Sequence, residues 1–259
     1  MNTYLLEIGL EEMPAQMILP AVEQLKSLAN KTCELHQLSF DNILTFSTPR
    51  RLTVQLRGLP EKQADRKIEL KGPPAVIAKD AKNNWSKAAQ GFAGKNGVSV
   101  DNLEIREFEG KEYLFVQREE LGKPVPELLQ AEVEQWISQL NFPKNMRWGS
   151  YRMRFIRPIR WIVSLWNDEV VPVKLEMVEA GNETRGHRFL SSGKSVLKQA
   201  AEYEKLLEKL NVMVDFEKRR ESILSQVKKL EQKHGFEVEL EERLLTEVTN
   251  LVEWPTVLL

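Results

Sequence analysis

The sequence predicts an α+β protein with antiparallel or mixed sheets and packed helices, and three observations carry that prediction. Runs with the two-residue alternation of strands are joined by short turns rich in Pro, Gly, Asn and Asp, the pattern of hairpins. Longer segments repeat apolar residues at three and four positions, the pattern of helices with one buried face. The 259 residues, 42% hydrophobic and 29% charged, are ordinary for a globular chain of one large or two modest domains.

Residues 4–8 read as a short strand. Glu11 and Glu12 ahead of Pro14 mark the entry to a helix reaching about Gln37, since proline is tolerated in a first turn and acids there complement the helix dipole. Leu19, Val22, Leu25, Leu28 and Ala29 put one face of that helix in a core. Adjacent carboxylates on a helix point apart, which favours capping over acid-base chemistry or magnesium binding for Glu11 and Glu12. Runs 43–47 and 52–56 form a hairpin across Thr48-Pro49-Arg50-Arg51, leaving Arg50 and Arg51 at its tip, either against an acidic partner or solvated. Residues 1–60 are therefore expected to form a β-α-β-β unit, bounded at Gly58-Leu59-Pro60, with an α+β module over 61–259.

Within 61–259, EKQADRK and Lys71-Gly72-Pro73-Pro74 read as breaks, and 85–95 as a helix stopped by Gly97. Strands 104–108 and 112–118 form a hairpin about Glu109-Gly110-Lys111. Gly94 and Gly97 lie beside lysines but lack the spacing of a phosphate loop. A helix over 125–140 ends at Pro143; a strand follows over 157–166, with Pro158 at its start or edge, then an Asn167-Asp168 turn and a return strand over 170–175. A charged helix is expected over 195–209 and a buried strand over 212–214. Asp215 then caps a helix to about His234, whose Lys218, Arg219 and Arg220 suit a solvated face or RNA. A last helix over 241–251 precedes Thr256-Val257-Leu258-Leu259, a bare apolar end expected of a chain cut short.

Net charge is formally -1 and the sequence pI about 6.4, so any polyanion contact must be a local patch. One exists. Residues 144–161 set Lys144, Arg147, Arg152, Arg154, Arg157 and Arg160 among Trp148, Tyr151, Phe155 and Trp161 with no acid between. Guanidinium groups fork onto phosphate oxygens while rings accept unstacked bases, which points to RNA. The alternative is a buried strand whose arginines pair with carboxylates elsewhere. Arg185, His187 and Arg188 add a second cluster, with His187 available as a contact to an anion, a general acid-base group, or a histidine that orders its loop. Zinc is a poor fit, because no second His or Cys stands at ligand spacing. The single Cys33 excludes an internal disulfide and suits the cytoplasm. The N-terminus has acids where a signal peptide needs cations, and no run spans a bilayer, so neither secretion nor a membrane is expected.

LLEIGLEEMPA at the start, TPRRLTV (48–54), KAAQGFAGKNGVSVDNL (87–103), MRWG (146–149), RFIRPIRWIV (154–163), TRGHRF (184–189), VDFEKRR (214–220) and EVTNLVEWP (247–255) resemble, in order, the N-terminal half of the bacterial glycyl-tRNA synthetase β subunit. Leu10 stands where that family often has threonine and Arg160 where histidine is common. The resemblance implies a non-catalytic partner in an α2β2 tetramer with the α subunit, which carries the ATP and magnesium site and joins glycine to tRNA(Gly). On this chain itself it implies no cofactor and no DNA partner. It also implies an α+β fold resembling in part the B3/B4 module of phenylalanyl-tRNA synthetase β chains, truncated before HD-type and anticodon-binding regions. The candidate RNA-binding set is then Arg50, Arg51, Lys144, Arg147, Trp148, Arg152, Arg154, Arg157, Arg160, Arg185, His187 and Arg188. The competing roles are a subunit-interface module with RNA binding elsewhere, and an aminoacyl-ester or RNA hydrolase using His187.

Overall fold

The computed structural model describes residues 2–80 and 84–259. They form two compact units, one of residues 62–123 and one of residues 1–61 with 124–259.

The larger unit begins with β1 (Asn2–Leu10), α1 (Ala15–Leu35), β2 (Asn42–Thr48) and β3 (Arg51–Leu59). Residues 3–10 of β1 are all buried, because this strand pairs on both edges and is covered on both faces. Tyr4, Leu6, Ile8 and Leu10 join the core under α1, while Leu5 points to a second core on the opposite face.

The smaller unit holds β4 (Arg66–Pro74), α2 (Lys87–Lys95), β5 (Leu103–Phe108) and β6 (Lys111–Glu120), with sheet order β4-β6-β5. The β5–β6 turn places Glu109 and Gly110 at φ 52° and 75°, the two left-handed residues of a tight hairpin turn. Strand β4 lies where breaks were expected. Its apolar alternation is only Ile68 and Leu70, and its prolines fall at a register shift on the sheet edge, where a missing ladder donor is harmless.

The chain then returns to the larger unit through α3 (Val125–Gln139), β7 (Met146–Arg147), β8 (Arg154–Phe155), β9 (Ile159–Trp166), β10 (Glu169–Val170), β11 (Lys174–Leu175), β12 (Val178–Gly181), β13 (Glu183–Arg185) and β14 (Lys194–Val196). It ends with α4 (Tyr203–Lys209), α5 (Phe216–His234) and α6 (Glu242–Thr249). The seven-stranded sheet runs β11-β12-β9-β1-β3-β2 with β10 on β9, and only the β12–β9 pair is parallel. The sheets are thus antiparallel and mixed.

Three expectations are corrected. The division into 1–60 and 61–259 does not hold: β1 pairs with β9 from Tyr4↔Trp166 to Leu10↔Ile159, so the first sixty residues share a sheet with residues 159–166. The helix expected over 195–209 is confined to Tyr203–Lys209. Lys194–Val196 is instead strand β14, paired with β13, and Gln199 is extended at φ -137°, ψ 130°. That extended entry carries Leu197, Ala200 and Tyr203 into the second core. Asp215 caps α5 as expected, accepting the Lys218 N–H at 3.1 Å. Residues 212–214 are not a strand, yet Val212 and Val214 are buried and the Val214 carbonyl accepts the Ser47 N–H at 3.0 Å.

Candidate nucleic-acid interface

Beneath the candidate surface lies a charged interior. On β1, alternation turns Glu7 toward the second core, where it is fully buried. Its carboxylate accepts the Thr184 Oγ1 proton at 2.8 Å and 3.0 Å and the indole N–H of Trp161, with Arg51 Nη1 3.9 Å away. Gly9 follows on the same side, and the indole lies directly on it: a Cβ there would sit 1.9 Å from Trp161 Cδ2.

Arg50 and Arg51, expected at an exposed hairpin tip, are 6% and 0% exposed and do not belong to an outer surface. Their acidic partner comes from the same chain. Glu253 accepts Arg50 Nη2 at 2.6 Å, Arg50 Nε at 3.2 Å, Arg51 Nη2 at 2.9 Å and Thr48 Oγ1 at 2.9 Å. Arg50 Nη2 also donates to the Gly186 carbonyl at 2.9 Å. Burial pushes the Glu253 carboxyl up, but Arg51, Arg50 and the Thr48 hydroxyl outweigh it and hold its pKa below the ordinary value. Two opposed cations sharing one carboxylate keep the hairpin tip folded inward.

Above this interior sits an outer cluster. Glu11 and Glu12 do not cap α1, whose first turn contains no acid. Glu11 accepts Arg160 Nε at 2.6 Å and Arg188 Nη2 at 3.0 Å, and Glu12 pairs with Arg188 Nη1 at 2.9 Å. The hydrogen bond from Arg160 is the chief reason the Glu11 carboxyl lies below its usual range. Arg157 Nε donates to the Glu12 carbonyl at 2.8 Å. The Arg185 guanidinium lies 4.7 Å over the Trp161 ring, with no carboxylate partner among the described residues. Burial, then Arg160 and Arg50, lower its pKa. Arg160, Trp161, Arg185 and Lys194 line an open cavity of about 380 Å³.

His187 orders its own loop. Its Nδ1 accepts the Phe189 and Leu190 N–H groups, both at 3.2 Å, and burial is the first cause lowering its pKa. The half-buried ring is thus engaged locally, not turned outward beside Arg188.

In 144–157, Lys144, Arg147, Arg152 and Arg154 are exposed and none of their side chains pairs with a carboxylate among the described residues, although the Arg152 backbone N–H donates to Glu176 at 2.5 Å. Arg147 faces Arg154 directly across the β7–β8 pair, a like-charge juxtaposition that costs stability unless an external anion relieves it. The rings went the other way. Phe155 and Trp161 are buried, and Trp148 is half-buried with its indole N–H on the Phe155 carbonyl at 3.0 Å. The stacking surface expected of this segment reduces to Tyr151, 39% exposed. Farther along, Arg219 is fully buried and donates to the Thr249 and Met213 carbonyls, so it forms no solvated face; burial lowers its pKa to about 10.

The residues that sequence reasoning passed over are Glu7, Thr184 and Glu253. A signal existed for the first: Glu7 is the one charge in the apolar run Tyr4–Leu10 of strand β1. Among the described residues, no group of three or more His, Cys, Asp or Glu side chains could hold a metal ion.

The fold and its outer cations define a mixed-sheet α+β protein with a buried ion-pair hub, an outer arginine cluster partly paired with Glu11 and Glu12, and an exposed basic strip at 144–154. A family model described as glycyl-tRNA synthetase beta subunit matches residues 4–259. Relatives named glycine-tRNA ligase beta subunit are 47% identical in Lactiplantibacillus plantarum, 46% in Limosilactobacillus reuteri and 45% in Halalkalibacterium halodurans, each over 98% of this chain. This chain belongs to the glycyl-tRNA synthetase beta subunit family. It spans 36–37% of the length of those relatives.

Proposed function

We propose that this chain is the N-terminal part of the non-catalytic β subunit of a cytoplasmic α2β2 glycine-tRNA ligase, and that it docks tRNA(Gly) by its phosphates. In this reading the α subunit binds ATP and magnesium, forms glycyl-AMP with release of pyrophosphate, and transfers glycine to tRNA with release of AMP. The contacts on this chain are Lys144, Arg147, Arg152 and Arg154, continued by Arg157, Arg160, Arg185 and Arg188. The Arg147–Arg154 pair carries the reading, since two facing guanidiniums without an in-chain carboxylate fit a polyanion. Because Trp148, Phe155 and Trp161 turn inward and only Tyr151 of these rings stays open, the contact is mainly electrostatic and little sensitive to base identity. A likeness of part of the fold to the B3/B4 module belongs to the same proposal.

A second reading, a subunit-interface scaffold, is favoured by Arg50, Arg51 and Glu253, whose chemistry is spent inside the fold. A hydrolytic role for His187 is disfavoured, because its Nδ1 already accepts two backbone N–H groups. Titration of tRNA(Gly) against the chain at several salt concentrations separates the first two. The phosphate reading expects each of Arg147→Gln, Arg152→Gln and Arg154→Gln to lower the log-log salt slope by about one without lowering the melting temperature, which should rise slightly where the Arg147–Arg154 repulsion is removed. Unchanged slopes, together with capture of the α subunit by the same variants, would leave only the scaffold.

A further inference from the structure

The smaller unit presents a surface to which none of the above assigns a role. One face of the β4-β6-β5 sheet is closed: Leu70, Leu103, Leu114 and Val116 pack with Ala89, Phe92 and Ala93 of α2. Register places the alternate side chains on the other face, Lys71 opposite Phe115, Glu104 opposite Phe115, Arg106 opposite Tyr113 and Phe108 opposite Lys111. None of the three rings joins the apolar cluster beneath. They cluster with one another instead, Phe108 lying 6.4 Å from Tyr113 and 6.5 Å from Phe115, and Phe108 is 43% exposed.

Cations attend every ring. Lys71 Nζ is 3.9 Å from the Phe108 centroid and 3.7 Å from that of Tyr113, and the Arg106 guanidinium is 5.9 Å from Phe115. Of the acids on this face, Glu69 and Glu104 are both bound to Arg106 and Glu119 stands opposite Lys67 at the far end of the strand, so none of them is paired with Lys71 or Lys111 among the described residues. Aromatic rings standing on an open antiparallel sheet, with the Lys71 ammonium over two of them and Lys111 in register with Phe108, match the two halves of an unpaired nucleotide, a base with a π-face and a phosphate. An apolar protein partner would instead leave Lys71 and Lys111 buried without a counter-charge.

We infer that this open sheet face binds unpaired RNA, stacking bases on Phe108, Tyr113 and Phe115 while Lys71 and Lys111 meet the backbone. The site is distinct from the basic strip at 144–160, and the two contacts differ in kind: one reads phosphates alone, the other requires bases free of a duplex.

The test uses the whole 259-residue chain. The probe is a labelled single-stranded oligouridine of about twelve nucleotides, with a duplex of the same length as comparator. Tyr113→Leu and Phe115→Leu keep an apolar side chain on the strand but remove the π-face. Each is expected to weaken oligouridine binding roughly 5- to 150-fold, the range for one base stack, and to leave duplex binding and the melting temperature unchanged. Lys71→Gln is expected to lower the single-strand salt slope by about 0.7. The triple variant Arg147→Gln/Arg152→Gln/Arg154→Gln serves as a separate arm: it tests the strip, and oligouridine binding in it should stay sensitive to Phe115→Leu. Leucine variants that bind oligouridine like the parent would overturn the inference, as would equal losses for single strand and duplex. So would leucine variants that lose only capture of the α subunit, which would make this face a protein contact.

Discussion

Glu253 is the residue whose removal tests the architecture most directly. It is 7% exposed and accepts hydrogen bonds from Thr48, Arg50 and Arg51, all at the hairpin tip between β2 and β3. Glu253→Ala leaves two buried guanidiniums with one carboxylate gone and only Glu7, 3.9 Å from Arg51, as counter-charge. Breaking a buried pair from one side costs about 3–5 kcal/mol, mostly the desolvation of the charge left behind. That is a large share of the roughly 5–15 kcal/mol that holds a domain together. Urea unfolding followed by tryptophan fluorescence measures it, with Arg188→Gln as control, because that exposed pair with Glu11 and Glu12 is worth about 1 kcal/mol or less. The pH dependence supplies a second, signed readout. The folded-state pKa of Glu253 is depressed, so its stabilisation is complete above the ordinary carboxylate value and is lost as pH falls through the lower, folded value. Wild-type stability should therefore decline steeply in that acid window, and Glu253→Gln should decline less. A Glu253→Ala protein within about 1 kcal/mol of wild type would refute the hub as a structural element.

Two further outcomes follow from close geometry. Gly9→Ala drives a Cβ to 1.9–2.4 Å from the Trp161 ring, which Glu7 holds by its N–H; the loss should reach or exceed the upper end of about 1–3 kcal/mol for overpacking, read as a lower urea midpoint. An unchanged midpoint would mean the indole is free to move. The His187 imidazole, with its pKa depressed, accepts the Phe189 and Leu190 N–H groups only while neutral, so loop order is intact above the ordinary histidine value and lost as pH falls through the folded one. The protection of those two amides relative to their intrinsic exchange rate should fall on acidification, already be low in His187→Ala, and show no pH step in that variant.

What could be read in advance divides by the range of its cause. The β5–β6 turn and the Asp215 cap rest on residues within a turn of each other and appear where local chemistry placed them, while the face of α1 keeps Val22, Leu25 and Ala29 in the core but is completed by Ile18 and Ala21 in place of Leu19. Strand β4 was missed because its ladder lies in a backbone partner, Arg118 to Glu120 and their neighbours, whose identity the strand's own residues do not encode. The partner of Arg50 stands 203 residues away, so a pair of turn arginines could be recognised as needing an acid but not matched with Glu253. In 144–161 the composition was right and the geometry half so: at Arg154–Phe155 in β8 and Arg160–Trp161 in β9 the ring and the guanidinium are neighbours on a strand and so turn to opposite faces, which leaves the cation exposed and the ring buried.

That alternation also explains how the interior and exterior of the larger unit depend on one another. Residues 183–188 carry Arg185 and Arg188 outward, yet this segment is tied down from below at two points, Thr184 by its hydroxyl on Glu7 and Gly186 by its carbonyl on Arg50. Both anchors belong to the ion-pair hub, and Trp161 links the levels, its N–H on Glu7 and its ring under the Arg185 guanidinium. A surface guanidinium on a free loop loses side-chain and backbone freedom when it meets a phosphate; one already fixed by its backbone neighbours loses less. The buried charges therefore act on any anion bound outside by holding the loop, without touching that anion themselves.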